Sequence, residues 1–181
     1  MESVKKLLIL IIIIVAGLAF YKFIEWSRVE PIAPARTGNN SVLEPDPSSG
    51  TFLFDDGTIT LSQGQARKEF EEITILEKVS YGDINSDNET DTALLLTRSG
   101  GGSGTFIYVA AYISGPVGHK GSNTVFLGDR IAPQNIAINN TGVITVSYLD
   151  RDPEESFSTE PTISISRQFL FTNGALEERG G

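Results

Sequence analysis

Alternating apolar and polar positions run through the chain from residue 51 onward and predict a series of short β-strands. Residues 162–171 show the pattern most fully, because Ile163, Ile165 and Phe169 are separated by polar side chains. Asp, Asn and Gly residues break the pattern at short intervals and predict tight turns. The predicted strands cover residues 51–54, 58–61, 73–79, 93–97, 105–113, 124–127, 134–138, 143–149 and 162–171. About eight to ten short strands with hardly any helical periodicity indicate a mainly β domain, an antiparallel sandwich or a curled sheet.

Three segments depart from this alternation. Residues 93–97 are apolar almost throughout, which predicts a strand that is buried on both faces. Residues 62–72 are polar and contain good helix formers, so we expect a short helix there. Residues 99–104 are almost entirely glycine and serine, which favours a wide hairpin turn over a phosphate-binding loop, since no Lys-Ser/Thr pair follows.

A long apolar run lies near the N-terminus. Residues 7–21 contain no charged side chain, and the run continues past Lys22 to Ile24, which is long enough to span a bilayer. Tyr21, Phe23 and Trp26 suit a membrane interface, where Lys22 can extend its amine to the headgroups. We expect a transmembrane anchor over residues 7–26, with residues 1–6 as a cytoplasmic tail by the positive-inside rule.

A signal peptide is the alternative for this segment, since Gly17-Leu18-Ala19 offers a small-residue cleavage site. With either outcome, the later residues lie outside the cytoplasm. Residues 27–50 are rich in proline and lack periodicity, so we expect a flexible linker. The predicted organisation is therefore a membrane protein with one span, a cytoplasmic N-terminus and an extracytoplasmic β domain over residues 51–178.

Charge and composition exclude several classes of function. The formal net charge is −9. Residues 1–30 carry +1, so the rest of the chain carries −10 and would repel nucleic acid. The chain contains no cysteine, which rules out disulfides, thiolate nucleophiles and thiolate zinc sites. His119 is the only histidine, so a histidine-rich metal site is also excluded.

The most distinctive polar segment is the acidic loop, residues 82–91, which connects two apolar runs. Its oxygen-bearing side chains recur at relative positions 1, 3, 5 and 9, which is the spacing of a calcium-binding loop. The predicted metal ligands are Asp83, Asn85, Asp87, Asp91 and the backbone carbonyl of Glu89. Calcium prefers such oxygen ligands, and we expect weak binding, as in extracellular modules.

Two features separate this segment from an EF-hand. Position 12 is Leu94, where an EF-hand has a bidentate glutamate, and strands flank the loop in place of helices. Asn88 takes the turn position that is usually glycine, and asparagine tolerates a left-handed conformation better than most residues. A solvated acidic turn without metal is the alternative interpretation.

Other polar residues give weaker signals. Ser103 or Ser122 with His119 and Asp129 would make a triad by residue type, but no sequence context supports it. Asp129-Arg130 and Asp150-Arg151 each follow an apolar strand. We expect both to be ion pairs at strand ends, with a polar ligand patch as the alternative.

Residues 81–91 and the apolar strand that follows resemble the calcium loop of FG-GAP and VCBS repeats. The single copy does not favour the propeller that those repeats build. Residues 82–113, 123–134 and 146–153 together resemble an uncharacterised β domain of bacterial secreted and lipid-anchored proteins. In that family the loop usually reads Asn-Gly-Asp-Gly, where this chain has residues 85–88. The resemblance implies an extracytoplasmic location and a β fold, and it implies no reaction.

Three functional hypotheses follow. The first is a non-enzymatic cell-envelope module with a calcium-type loop, whose partner is an envelope protein or a glycan. The second is a metal-dependent envelope hydrolase that uses His119 or the acidic cluster. The third is an accessory subunit of a membrane assembly, for which Ala16, Gly17 and Ala19 would form a helix-packing stripe. The lack of a nucleophile motif favours the first.

Overall fold

The computed structural model describes residues 44–180, and within them twelve β-strands and one short 3-10 helix carry the fold. The predicted tail (1–6), anchor (7–26) and first part of the linker (27–43) lie outside the described residues. No helix in the described range is long and apolar enough to cross a membrane. The strands are β1 (Thr51–Phe54), β2 (Gly57–Thr60), β3 (Gln65–Lys68), β4 (Glu71–Gly82), β5 (Asp91–Gly100), β6 (Thr105–Ile113), β7 (Lys120–Gly121), β8 (Val125–Asp129), β9 (Ala132–Ile138), β10 (Ile144–Asp150), β11 (Ile163–Thr172) and β12 (Ala175–Glu178).

The strands form three antiparallel sheets, which confirms the prediction of a mainly β, antiparallel domain. The larger sheet has the order β3-β4-β5-β6-β7, and β8 pairs with the same side of β6 as β7 does, further along the strand. The second sheet has four strands in the order β12-β11-β10-β9. The third is the β1-β2 hairpin, whose turn at Asp55-Asp56-Gly57 is the one predicted from the sequence.

Two hydrophobic clusters lie on opposite faces of the larger sheet. Ala93 and Leu95 of β5 face the four-stranded sheet, while Leu94 and Leu96 face the hairpin. All four side chains are fully buried, as the apolar run over residues 93–97 predicted. The domain therefore has a sandwich-like arrangement, with the hairpin packed on the outside of the larger sheet.

The expected helix over residues 62–72 is absent, and this prediction was wrong. Residues 65–68 instead form β3, an edge strand that pairs with residues 71–74 of β4. Arg67 donates to the Glu72 carboxylate across the strand pair, at 2.7 and 3.0 Å. Cross-strand pairing thus overrides a helix propensity that is weak over so few residues.

The domain begins earlier than the sequence predicted. Pro45 and Pro47 are buried, and the Thr92 hydroxyl donates to the Pro45 carbonyl at 2.9 Å. Asp46 caps the 3-10 helix Pro47–Ser49 by accepting a hydrogen bond from the Ser48 backbone N–H. Residues 44–50 therefore belong to the folded domain, although their proline content is typical of a linker.

An irregularity in β4 positions the acidic loop. Between Ile75 and Val79 the register with β5 shifts, which bends the strand. Beyond this bulge β4 approaches the four-stranded sheet, where the Ile138 N–H donates to the Ser80 hydroxyl at 3.2 Å. The acidic loop that follows β4 consequently lies at the end of the sandwich, next to both sheets.

Candidate functional site

The acidic loop wraps around the carboxylate of Asp83. Asp83 Oδ1 accepts hydrogen bonds from the backbone N–H groups of Ser86 (2.7 Å) and Asp87 (3.2 Å), and Oδ2 accepts one from Asn88 (2.9 Å). These bonds satisfy N–H groups that have no strand partner. Asp83 is therefore the residue that shapes the loop.

Two residues of the loop adopt the left-handed conformation. Ser86 and Asn88 both have φ of 65°. These are the two positions at which the resembled family has glycine, the residue that tolerates this conformation without cost. The loop backbone therefore adopts a conformation that favours glycine, although both positions carry other side chains.

Asn85 and Asp87 face each other within the loop. The Asn85 amide donates from Nδ2 to Asp87 Oδ2 at 2.8 Å, and the Asp87 N–H donates back to Asn85 Oδ1 at 3.1 Å. The Glu89 N–H donates to Asp87 Oδ1 at 2.8 Å. The Asn85 amide is the main cause, followed by the Glu89 N–H, of a lowered pKa for the Asp87 carboxyl.

Asp91 connects the loop to the core. Its side chain is fully buried, and it accepts hydrogen bonds from the Ile84 N–H, the Ser114 N–H and the Ser114 hydroxyl, each at 2.7 Å. Three donors around one carboxylate compensate for the cost of removing it from water. Ser114 follows directly after β6, so these bonds join the β4-β5 loop to the end of β6.

The same serine brings a second carboxylate close. The Ser114 hydroxyl lies 3.2 Å from Asp87 Oδ2, in addition to its bond to Asp91. Sequence reasoning missed Ser114. The feature that could have indicated Ser114 is the pairing of the two apolar strands β5 and β6. Thr92 lies opposite Tyr112 in this pairing, so Ser114 lies next to the start of β5.

The loop also contacts the four-stranded sheet. The Ile84 side chain is buried in the cluster between the two sheets. A Cβ atom added at Gly142, in the β9-β10 turn, would lie 2.6 Å from the Ile84 carbonyl oxygen. Glycine at this position, with φ of 75°, lets the turn approach the loop backbone. The acidic loop is therefore held from both sheets.

The five predicted ligands are close in sequence but do not form a closed metal cage. Within residues 44–180 no group of three or more His, Asp or Glu side chains is placed to hold a metal ion. Asn85 turns its amide nitrogen toward Asp87, Glu89 is exposed, and Asp91 points into the domain toward Ile84 and Ser114. The oxygen-rich donor set has the chemistry that calcium prefers, but its oxygens are directed at N–H and O–H donors.

Three of the four residues considered for a triad are engaged separately, and the fourth, Ser103, is exposed in the β5-β6 turn. His119 stacks on Tyr112 with ring centroids 5.3 Å apart. The Ser122 hydroxyl donates to the Asn123 carbonyl at 2.6 Å and lies at the Ala111 end of β6. Asp129 pairs with Phe106 near the opposite end of that strand.

The two Asp-Arg pairs differ. Asp129 and Arg130 form the expected ion pair at 3.1 Å, and the Arg130 guanidinium is the main cause of a lowered pKa for the Asp129 carboxyl. Arg151 instead donates from its guanidinium to the backbone carbonyls of Thr159 and Arg130. The second expected ion pair is therefore replaced by contacts that hold the loop after β10.

No family model, curated protein or solved structure matches the chain. The likeness of residues 81–91 to FG-GAP and VCBS loops stays a prediction.

Proposed function

We propose that this chain is a membrane-anchored, extracytoplasmic and non-enzymatic module of the cell envelope, with a binding or structural role. In this proposal the acidic loop fixes one end of the β domain, and calcium is its weak ligand. The observation that carries the structural role is the buried Asp91 carboxylate, which accepts three hydrogen bonds that join the loop to β6.

A non-enzymatic role is supported by how the reactive side chains are used. His119 stacks on an aromatic ring, Ser122 supports the backbone after β7, and Asp129 is neutralised by Arg130. A nucleophile and its base must lie within hydrogen-bonding reach of each other. These three residues are each committed to another partner, which favours a binding module over a hydrolase.

Weak calcium binding is supported by the loop backbone and its donor atoms. Ser86 and Asn88 adopt the conformation that calcium loops of the resembled family obtain from glycine. Asp83, Asp87 and Asp91 supply carboxylate oxygens, while the Asn85 amide would need to turn its oxygen inward. Because a metal must compete with N–H donors already in place, we expect a dissociation constant of about 0.1–1 mM.

Thermal unfolding of a fragment beginning at residue 42 tests the calcium part of the proposal. Calcium at a hundredfold excess over its dissociation constant should stabilise the domain by about 2.7 kcal/mol relative to chelator. That gain should disappear in Asp87→Ala and persist in Asp55→Ala, which removes an exposed carboxylate at the hairpin tip. Equal midpoints with calcium and with chelator in the unmodified domain would contradict calcium binding.

The absence of cysteine allows a direct test of location. Single cysteines are introduced as Ser3→Cys in the predicted tail and as Ser158→Cys in an exposed loop of the domain. A membrane-impermeant maleimide should label Ser158→Cys in intact cells and Ser3→Cys only after lysis. Labelling of Ser158→Cys only after lysis would overturn the extracytoplasmic assignment.

A further inference from the structure

A surface pocket of about 390 Å3 opens where the end of β6, the short strand β7, the β11-β12 turn and Leu53 of the hairpin meet. One wall is the end of β6 with β7, represented by Ile113 and Lys120, and the other is the β11-β12 turn, represented by Phe171 and Ala175. Ile113 and Phe171 belong to the cluster between the sheets, so the floor of the pocket is the exposed end of the main core. Its volume lies at the low end of the range of about 300–1,000 Å3 that is typical of small-molecule sites.

Small residues keep this pocket open. Four of its lining residues are glycines: Gly115, Gly118, Gly121 and Gly174. A Cβ atom added at Gly118 or Gly174 would meet no heavy atom within 4 Å, so both glycines border open space. These four positions contribute no side chain to the pocket, which leaves room for a ligand.

One charged side chain lines the pocket in the described part of the chain. Lys120 pairs with Ile113 across the antiparallel strands, so both side chains project on the same face, toward the four-stranded sheet. None of the ion pairs among residues 44–180 involves Lys120. An ammonium that has no ion pair among residues 44–180 and lies beside an apolar floor favours an anionic group on an apolar ligand.

Two carboxylates, Asp87 and Asp91, lie behind Ser114, and they direct an anionic group away from that side of the pocket. Ser114 lines the pocket, and its hydroxyl proton is donated to Asp91. Asp91 is fully buried and has hydrogen-bond donors on both of its oxygens. The anionic end of a ligand is therefore expected at Lys120, with the apolar body over Ile113 and Phe171.

We propose that this pocket binds a small carboxylate with an apolar body, whose charged group pairs with Lys120. The proposal rests on the binding role proposed above and names its ligand class. It involves no bond making or breaking, which agrees with a non-enzymatic module.

The test uses the full chain in lipid nanodiscs with 13C-labelled isoleucine methyl groups. Sodium hexanoate is titrated, and the Ile113 methyl signal reports on the pocket, while Ile144 in the core serves as an internal reference. Empty nanodiscs measure how much hexanoate partitions into lipid. We expect a saturable shift of Ile113 at roughly millimolar hexanoate, as for a ligand of this size, and little shift of Ile144.

Two variants and two further ligands make the outcome specific. Lys120→Gln should weaken hexanoate binding about fivefold, the size of a solvent-accessible charge pair. Lys78→Gln, an exposed lysine on β4, should leave it unchanged. Uncharged hexanamide should bind as weakly to the unmodified chain as hexanoate binds to Lys120→Gln. Tighter binding of N-acetyl-leucine than of hexanoate would identify the carboxylate as a peptide C-terminus.

A shift of Ile113 that does not saturate, or equal binding of hexanoate and hexanamide, would overturn the proposal. Calcium added to the same samples separates this failure from failure of the proposed function. Perturbation of the Ile84 methyl by calcium without a response of Ile113 to hexanoate would reject the pocket ligand alone.

Discussion

Replacement of Asp91 by asparagine tests the loop contacts most sharply. The fully buried carboxylate accepts hydrogen bonds from Ile84 N–H on one oxygen and from Ser114 N–H and Oγ on the other. An asparagine amide places an NH2 group against one of these donors in either orientation. At least one buried N–H then loses its acceptor, and the remaining bonds lose their charged partner.

The expected cost follows from these contacts. One unsatisfied buried donor costs about 1–3 kcal/mol, and bonds to charged groups are stronger than neutral ones, so we expect a total of about 2–4 kcal/mol. For a domain of this length, each kcal/mol lowers the melting temperature by about 3–4 °C, which gives a decrease of about 6–16 °C.

The assay is thermal unfolding followed by circular dichroism, with Asp55→Asn as the matched control. Asp55 is exposed at the hairpin tip, so this variant removes the same charge without a buried contact. A melting temperature of Asp91→Asn within 2 °C of the control would refute the reasoning, because it would mean that the three donors find other partners at no cost.

Three further predictions rest on other contacts. Gly121→Ala should destabilise the domain by about 1–3 kcal/mol, because its Cβ would collide with the Thr51 carbonyl oxygen. A urea unfolding midpoint equal to that of Gly115→Ala would contradict this. The free energy of unfolding should fall below pH of about 4. Arg130 and Arg167 lower the pKa values of the Asp129 and Glu178 carboxyls in the folded state. The stabilisation is therefore full above the ordinary pKa of each carboxyl and is lost as the pH falls through its lowered pKa in the folded state. Between pH 6 and pH 2.5, the urea midpoint of unfolding should decrease less in Glu178→Gln than in the control variant Glu69→Gln. Arg167→Met should promote self-association, measurable by light scattering. The Arg167 guanidinium donates to the Phe126 and Leu127 carbonyls of β8, and without it these carbonyls are open to pairing with another chain. Light scattering equal to that of a monomeric Gln168→Met variant would argue against this prediction.

Local pattern was enough to predict most strands. Alternation over residues 162–171 and 143–149 corresponds closely to β11 and β10, and the run over residues 93–97 predicted burial of β5 on both faces. These features depend on the period of the side chains along a single strand, which sequence shows directly. The short strands β3, β7 and β12 were not predicted, because so few residues give no period and their pairing is set by neighbouring strands.

Only the local part of the candidate site could be predicted from the sequence. The oxygen spacing of the acidic loop can be read from consecutive residues. In contrast, the role of Asp91 depends on Ser114, a partner 23 positions away, and the loop also depends on Gly142 in the opposite sheet. Long-range contacts of this kind follow from register and sheet packing, which single-residue patterns do not specify.

The pocket illustrates the same limit. Nothing in the sequence around Gly115, Gly118 and Gly121 indicates a pocket, and no motif singles out Lys120. Only the pairing of β7 with the end of β6 sets Lys120 beside Ile113 and faces both toward the β11-β12 turn.

Amide hydrogen exchange at Ile84 and Ser114 tests the central claim, that the acidic loop is a structural junction of the domain. Both N–H groups donate to the buried Asp91 carboxylate, so they should exchange as slowly as the core amides of β5, in chelator as well as in calcium. The amides of Ser86 and Asn88, in the exposed part of the loop, should exchange faster in chelator and slow down when calcium is added. Exchange of Ile84 and Ser114 in chelator at the rate of an exposed loop would show that the junction does not hold, and would contradict the account.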